Sequence, residues 1–262
     1  MTETAVAIME NADYFLLLSL RAGGLIIASP IFGRVNIPLI AKLGLVLSLS
    51  YLFFLIFPPT VMIQYTTLFG FMILCAGELL LGMAFAFVTN IFFSLTAFTA
   101  GQLIDMQIGF GIVNVFDIQN NTQVPMMGNV LNIMLLMMFF LVNGHIRLIE
   151  MIYLTFERMP VGTLVMSPAV GITALEIFTR AFVLGVMMAL PIIASGLTLE
   201  IAFGMMMRAV PQIHMFIVGI PMKMLIGVMI FAVTLPVFVG FSETIFIHLF
   251  EGIELMFADF IT

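Results

Sequence analysis

Charge is what this sequence has least of. Only 8% of its 262 residues are Asp, Glu, Lys or Arg, and Lys and Arg together number 8 against a net charge of −6. Nucleic-acid binding selects clustered cations, so the balance excludes a nucleic-acid partner. Cysteine is almost missing too. The single Cys75 leaves no intrachain disulfide and no Cys-based metal site, and it reads as a small buried hydrophobe. The N-terminus lacks a basic n-region, and Glu10 and Asp13 precede the first apolar run, so that run is expected to stay in the mature protein. Catalytic templates are missing as well: there is no HExxH, P-loop, GxSxG or aspartate-rich pair. His145, His214 and His248 lie far apart, as polar caps and helix-end residues do more often than ligands. No metal, no cofactor and no enzymatic turnover are expected.

What the chain has in excess is apolar surface. Hydrophobic residues make up 63% of it, with a mean hydropathy of +1.27. A water-soluble core of this size cannot hide that much, so the chain needs lipid or protein around it. In hydrocarbon every backbone N–H and C=O must find an internal partner, which leaves helices or closed barrels. Runs such as 69–98 do not alternate, so the fold class is all-α, with membrane-associated helices.

Apolar runs cover 14–30, 43–57, 67–100, 126–142, 173–199 and 215–239. A polar break with Gly33, Arg34, Asn36, Pro38 and Lys42 follows the first, and Pro58-Pro59 ends the second. The third exceeds the roughly 20 residues of one span, which requires projection beyond the hydrocarbon, a bend or a hairpin. Residues 145–158 are amphipathic. The tail repeats Ile245, Leu249, Ile253 and Met256 against Glu243, Glu251, Glu254 and Asp259, as an interfacial or partner-packing helix would. Lys and Arg in the short loops split between the two sides, which suggests packing inside an assembly.

Arg21, Glu78, Glu176, Arg180, Glu200 and Lys223 lie within apolar runs, where each is costly unless paired or facing water. Two readings follow: ion-coupled transport, with Glu78 and Asp105 loading protons, or structural pairing, such as Glu176 with Arg180 one turn apart. The 24 methionines also read two ways, as a compliant seal around a moving chain or as plain hydrophobic filling. Between the third and fourth runs, residues 101–125 form the most polar interior stretch. Non-helical backbone there either lines a lumen or forms an ordinary loop outside the membrane.

That stretch, Gly101-Gln-Leu-Ile-Asp105-Met-Gln107-Ile-Gly109-Phe110-Gly111 followed by Asn121-Thr-Gln-Val-Pro125, resembles the FliR family of flagellar export-gate subunits. So do Asn143-Gly144-His145, Pro160-Val161-Gly162 and Arg208-Ala-Val-Pro211-Gln212, with Arg21, Pro30, Gly33, Lys42, Glu78 and Gly82 in matching order. The resemblance implies a FliP-like helical part, residues 1–200, joined to a FliQ-like hairpin, residues 201–262. It implies assembly with FliP and FliQ and contact with FlhB in the bacterial inner membrane, within a complex raised from the bilayer plane. Unfolded flagellar export substrates and membrane lipid are the other partners. It makes 101–125 a plug loop, with Gly109, Phe110, Gly111, Val113 and Phe116 at the gate, and Arg21, Glu78, Arg208 and Lys223 as charges pairing between subunits. The competing class is an ion-coupled secondary transporter, which needs two related halves and a midplane site.

Overall fold

The computed structural model describes residues 2–59, 65, 67–110, 125–163, 167–209 and 219–260, and every element among them is helical. In chain order these are α1 (Thr2–Glu10), α2 (Ala12–Ala28), α3 (Leu39–Ile56), α4 (Leu68–Asn90), a π-helical turn (Ile91–Leu95), α5 (Thr96–Ile108), α6 (Met126–Leu141), α7 (Gly144–Arg158), α8 (Ala169–Ala209) and α9 (Ile220–Ala258). Four helical runs are long and apolar enough to cross a membrane: Leu39–Ile56, Leu68–Ile108, Ala169–Arg208 and Pro221–Ala258.

Two expectations change. The third apolar run is not a hairpin. It continues as helix for eight residues past Ala100, so the first third of the polar stretch, Gly101–Ile108, is the end of a helix rather than loop. Its polar residues are spaced widely enough for Ala100, Ile104 and Ile108 to form a buried stripe one helical turn apart, and this stripe keeps the backbone helical. The tail is likewise no separate helix. It continues α9 through Pro236 to Ala258, and Ile245, Leu249, Ile253 and Met256 are buried within the chain while Glu243, Glu251 and Glu254 face outward. At 1.5 Å per residue the three longest runs, of 41, 40 and 38 residues, each extend about 60 Å, twice the roughly 30 Å of a hydrocarbon core.

The chain forms two compact units. The first comprises residues 1–90, 142–177 and 249–262. In it α2 and α4 touch backbone to backbone. A Cβ on Gly24 would lie 2.6 Å from the Leu79 carbonyl oxygen, and one on Gly82 would lie 2.2 Å from the Arg21 carbonyl oxygen. Only hydrogen fits at either position. Around this contact Leu17, Leu18, Ala22, Leu25, Leu81 and Phe85 are sealed from solvent. The turn after α2 is tied by Ser29, whose Oγ accepts the N–H groups of Ile31 and Phe32, and by the Lys42 ammonium, which donates to the Gly33 carbonyl at 2.8 Å. The amphipathic α7 behaves as its pattern predicts: Leu148, Met151, Ile152, Thr155 and Phe156 face inward, and Arg147, Glu150, Glu157 and Arg158 face out.

The second unit comprises residues 91–141 and 178–248. Phe93 from the π-helical turn, Phe139 of α6 and Phe246 of α9 meet with ring centroids 5.2 to 6.1 Å apart. Close approach again runs through glycine. A Cβ on Gly101 of α5 would lie 2.2 Å from Cα of Gly128 in α6, and one on Gly185 of α8 would lie 2.8 Å from the Thr99 side chain. The expected boundary between residues 200 and 201 falls inside α8.

Gly82→Ala drives a methyl group into the Arg21 carbonyl and should lower recovery of monodisperse protein in mild detergent. Gly44→Ala, which meets nothing within 4 Å, should leave recovery unchanged. Equal recovery of the two variants would show that the α2–α4 contact does not limit folding.

Candidate functional site

Among the described residues, one cluster of buried polar groups stands out in each unit. In the first, the guanidinium of Arg21 on α2 grips the carboxylate of Glu78 on α4 through two hydrogen bonds, Nε to Oε2 at 2.6 Å and Nη2 to Oε1 at 3.1 Å. Both side chains are at most 1% exposed. Further bonds hold the pair. Nη1 donates to Thr155 Oγ1 at 3.3 Å and to the Met159 carbonyl at 3.1 Å, and the Gly162 N–H donates to Glu78 Oε1 at 2.8 Å. Gly162 reaches the carboxylate from a left-handed backbone, φ 83°, which glycine adopts without steric penalty. Phe156 lays its ring face 4.4 Å from the guanidinium carbon, adding a cation–π contact. One ion pair thereby joins α2, α4, α7 and the turn that follows α7.

The second cluster stands where α5 meets the start of α6. Asp105, 1% exposed, accepts the backbone N–H of Met127 on Oδ1 at 3.2 Å. Met127 is in the first turn of α6, where backbone N–H groups have no partner within the helix, so Asp105 caps α6 from a different helix. The other carboxylate oxygen, Oδ2, is buried and accepts no hydrogen bond, and neither does the buried amide nitrogen of Gln107 donate one. Four residues on, α5 ends at Gly109, whose φ of 98° lies in the left-handed region and whose N–H returns to the Asp105 carbonyl at 3.0 Å.

Gly109 therefore terminates a helix, and Phe110, half buried, follows it directly. Gly111, Val113 and Phe116 lie outside the described residues. Of the four charges expected to pair between subunits, Arg21 and Glu78 bind each other inside this chain. Burial leaves neither accessible to a neighbour. Lys223, partly exposed, also binds within this chain, to the exposed Glu200 of α8 at 2.5 Å, and Arg208 is exposed near the end of α8. Sequence reasoning missed Thr155, the Met159 carbonyl and Gly162 as partners of the ion pair, and Asp105 as a cap. A threonine on the apolar face of amphipathic α7 and the glycine of the Pro160-Val161-Gly162 motif were the signals available.

The family described as bacterial export proteins, family 1, matches residues 12–249. Among curated relatives, the flagellar biosynthetic protein FliR of Escherichia coli (strain K12) is 28% identical over 245 residues, covering 93% of this chain and 90% of the relative. The protein of the same name from Aquifex aeolicus (strain VF5) is 28% identical over 251 residues, 94% of each chain. That of Buchnera aphidicola subsp. Schizaphis graminum is 30% identical over 204 residues, 77% of each.

Removing one partner of a buried ion pair strands the other, so Arg21→Leu should destabilise the chain by about 3–5 kcal/mol. The double variant Arg21→Leu/Glu78→Leu should recover part of that loss. Thermal unfolding in detergent measures both, and a double variant no more stable than the single one would refute the ion-pair account.

Proposed function

The chain belongs to the bacterial export proteins, family 1, with flagellar FliR proteins as full-length relatives, and we propose on that premise that it is a structural and gating subunit of the flagellar type III protein export apparatus. It is a membrane protein of the bacterial inner membrane, with four helical runs able to span it. In this reading it builds an export channel with FliP and FliQ and contacts FlhB. Its residues 1–200 serve as the FliP-like part, and 201–262, from the last turns of α8 through α9, as the FliQ-like part. Unfolded flagellar subunits pass through the channel, and the chain turns over no substrate.

The observation that carries the gating role is how the ends of the segment between Gly109 and Pro125 are held. Gly101 and Gly128 bring α5 and α6 into backbone contact, Asp105 bonds Met127 across the base, and Gly109 turns the chain out of α5 by a left-handed step. Ends held together in this way support the reading of the segment between them as a plug. Gly109, Phe110, Gly111, Val113 and Phe116 are its proposed gate residues.

The long helices fit the same reading. Runs of about 60 Å leave half their length outside a roughly 30 Å hydrocarbon core, yet apolar residues such as Phe69, Met72, Ile172, Leu175, Val233 and Val237 remain exposed along them. Partner helices in a raised assembly would cover that surface. Arg208 and Lys223 are the charges we assign to pairing between subunits. The Arg21–Glu78 pair, with its oxygens and nitrogens taken by fixed partners, suits scaffolding better than the proton loading that a secondary transporter requires.

Affinity purification of the tagged chain from native membranes in mild detergent should recover FliP and FliQ, whereas a chain that elutes alone would return the transporter reading. Deleting 112–116 should let normally excluded small solutes leak through the inner membrane, and a tight membrane would count against the plug. Lys223→Ala should reduce the yield of the assembled complex, and undiminished yield would remove Lys223 from the subunit contact.

A further inference from the structure

We propose that the turn between α2 and α3 holds the phosphate of an anionic phospholipid, with Arg34 and Lys42 as its ligands, a site that does not depend on the export role. Between Asp13 and Glu78 the sequence has three charged residues, Arg21, Arg34 and Lys42, and Glu78 already pairs with Arg21. The other two belong to one turn. Arg34 Nε donates to the Pro30 carbonyl at 3.2 Å, and the Lys42 ammonium reaches back from the first turn of α3 to the Gly33 carbonyl at 2.8 Å. The turn is tight: the Gly33 N–H donates to the Ser29 carbonyl at 2.8 Å, and a Cβ on Gly33 would lie 2.2 Å from the Ile27 carbonyl oxygen. Among the described residues neither cation has a carboxylate partner. Both are thus tied to one tight turn with their charge uncompensated, and the terminal nitrogens of Arg34 and part of the Lys42 ammonium are left to donate. A guanidinium and an ammonium held this way are prepared for a phosphate, because little ordering remains to be done on binding.

The surroundings select a lipid. Val35 is 97% exposed and Ile40 85%, with Leu39, Leu43 and Leu47 exposed after the turn. A free phosphate would leave those side chains in water, whereas acyl chains cover them while the headgroup meets the cations. Length argues the same way. Of the four runs able to cross a membrane, α3 is the one that matches it: 18 residues extend about 27 Å, close to the hydrocarbon thickness, which puts the turn at headgroup level. Both serines of α3 return their hydroxyls to its own backbone, Ser48 to the Gly44 carbonyl and Ser50 to that of Val46, so neither needs a polar partner. The headgroup must carry net negative charge, since the ammonium of a zwitterionic one would compete with Arg34 and Lys42 for the same phosphate.

The chain contains no tryptophan, so Val35→Trp places a lone indole next to Arg34. The full-length variant is reconstituted in bilayers of phosphatidylglycerol and phosphatidylcholine, with one lipid or the other brominated on its acyl chains to quench the indole on contact. Subtracting the unaltered preparation isolates this signal when other proteins co-purify. At low salt phosphatidylglycerol should be favoured at the turn about 25-fold, from about five-fold for each cation. Arg34→Gln and Lys42→Gln, each added to Val35→Trp, should cut that preference about five-fold, while Arg34→Lys should keep most of it. Equal quenching by the two lipids in the Val35→Trp chain overturns the proposal, and so does quenching by neither, which would show a turn covered by protein or lying outside the bilayer. If Lys42→Gln fails to fold for want of the Gly33 bond, Arg34→Gln carries the comparison, and an undiminished preference there refutes the phosphate site. A loss in Arg34→Lys as large as in Arg34→Gln would assign the effect to the shape of the turn and refute it equally.

Discussion

A guanidinium and a carboxylate almost without access to solvent are tolerated inside an apolar protein when they are paired with each other and held by further hydrogen bonds. Arg21 and Glu78 are held in this way by two bonds to each other, and by Thr155, the Met159 carbonyl and the Gly162 N–H. Neither could tolerate loss of the other, since each alone would be a bare charge in low dielectric. The partners come from α2, α4, α7 and the turn beyond α7, so the first unit cannot form until segments 140 residues apart in sequence have found one another. Apolar packing is plentiful in this chain but indiscriminate, because one leucine face fits another in many registers. The ion pair admits a single register, and the Gly24–Gly82 contact beside it gives the two helices the close approach that the bonds require.

A second constraint is length. Helices of about 60 Å cannot lie within a roughly 30 Å hydrocarbon slab, and their exposed apolar residues cannot all face water. Apolar residues exposed along such runs need lipid or protein to cover them. In both units the interior close approaches are made by glycine, which lets backbones touch where lipid offers no hydrophobic drive for helices to associate.

Much of this was legible in the residues. Hydropathy marked nearly every helix, the amphipathic 145–158 showed the face that α7 buries, and Pro58-Pro59 marked the end of α3. The motif around Gly101–Gly111 pointed to the family. Reading went astray where polar residues sat inside a helix. Gln102, Asp105 and Gln107 made 101–108 look like loop, but Ile104 and Ile108 with Ala100 gave that stretch a buried face, and tertiary packing overrode the polarity. The tail looked detached for a similar reason: a row of acidic residues opposite an apolar stripe suggested a separate interfacial helix, whereas the stripe simply continued α9 into the core.

The sequence by itself determined the class and the company of this protein: an all-helical membrane chain of an export family, because hydropathy and local motif are properties of adjacent residues. It could not determine which charge in an apolar run binds which, or how deeply each is buried. Arg21 and Lys223 look alike in a hydrophobic run, but one is enclosed by four elements and the other lies partly exposed beside an exposed Glu200. Only the tertiary structure decided that, because the partners of a buried charge are chosen by distance in space, and helices brought together by glycine contacts set that distance across more than a hundred residues of chain.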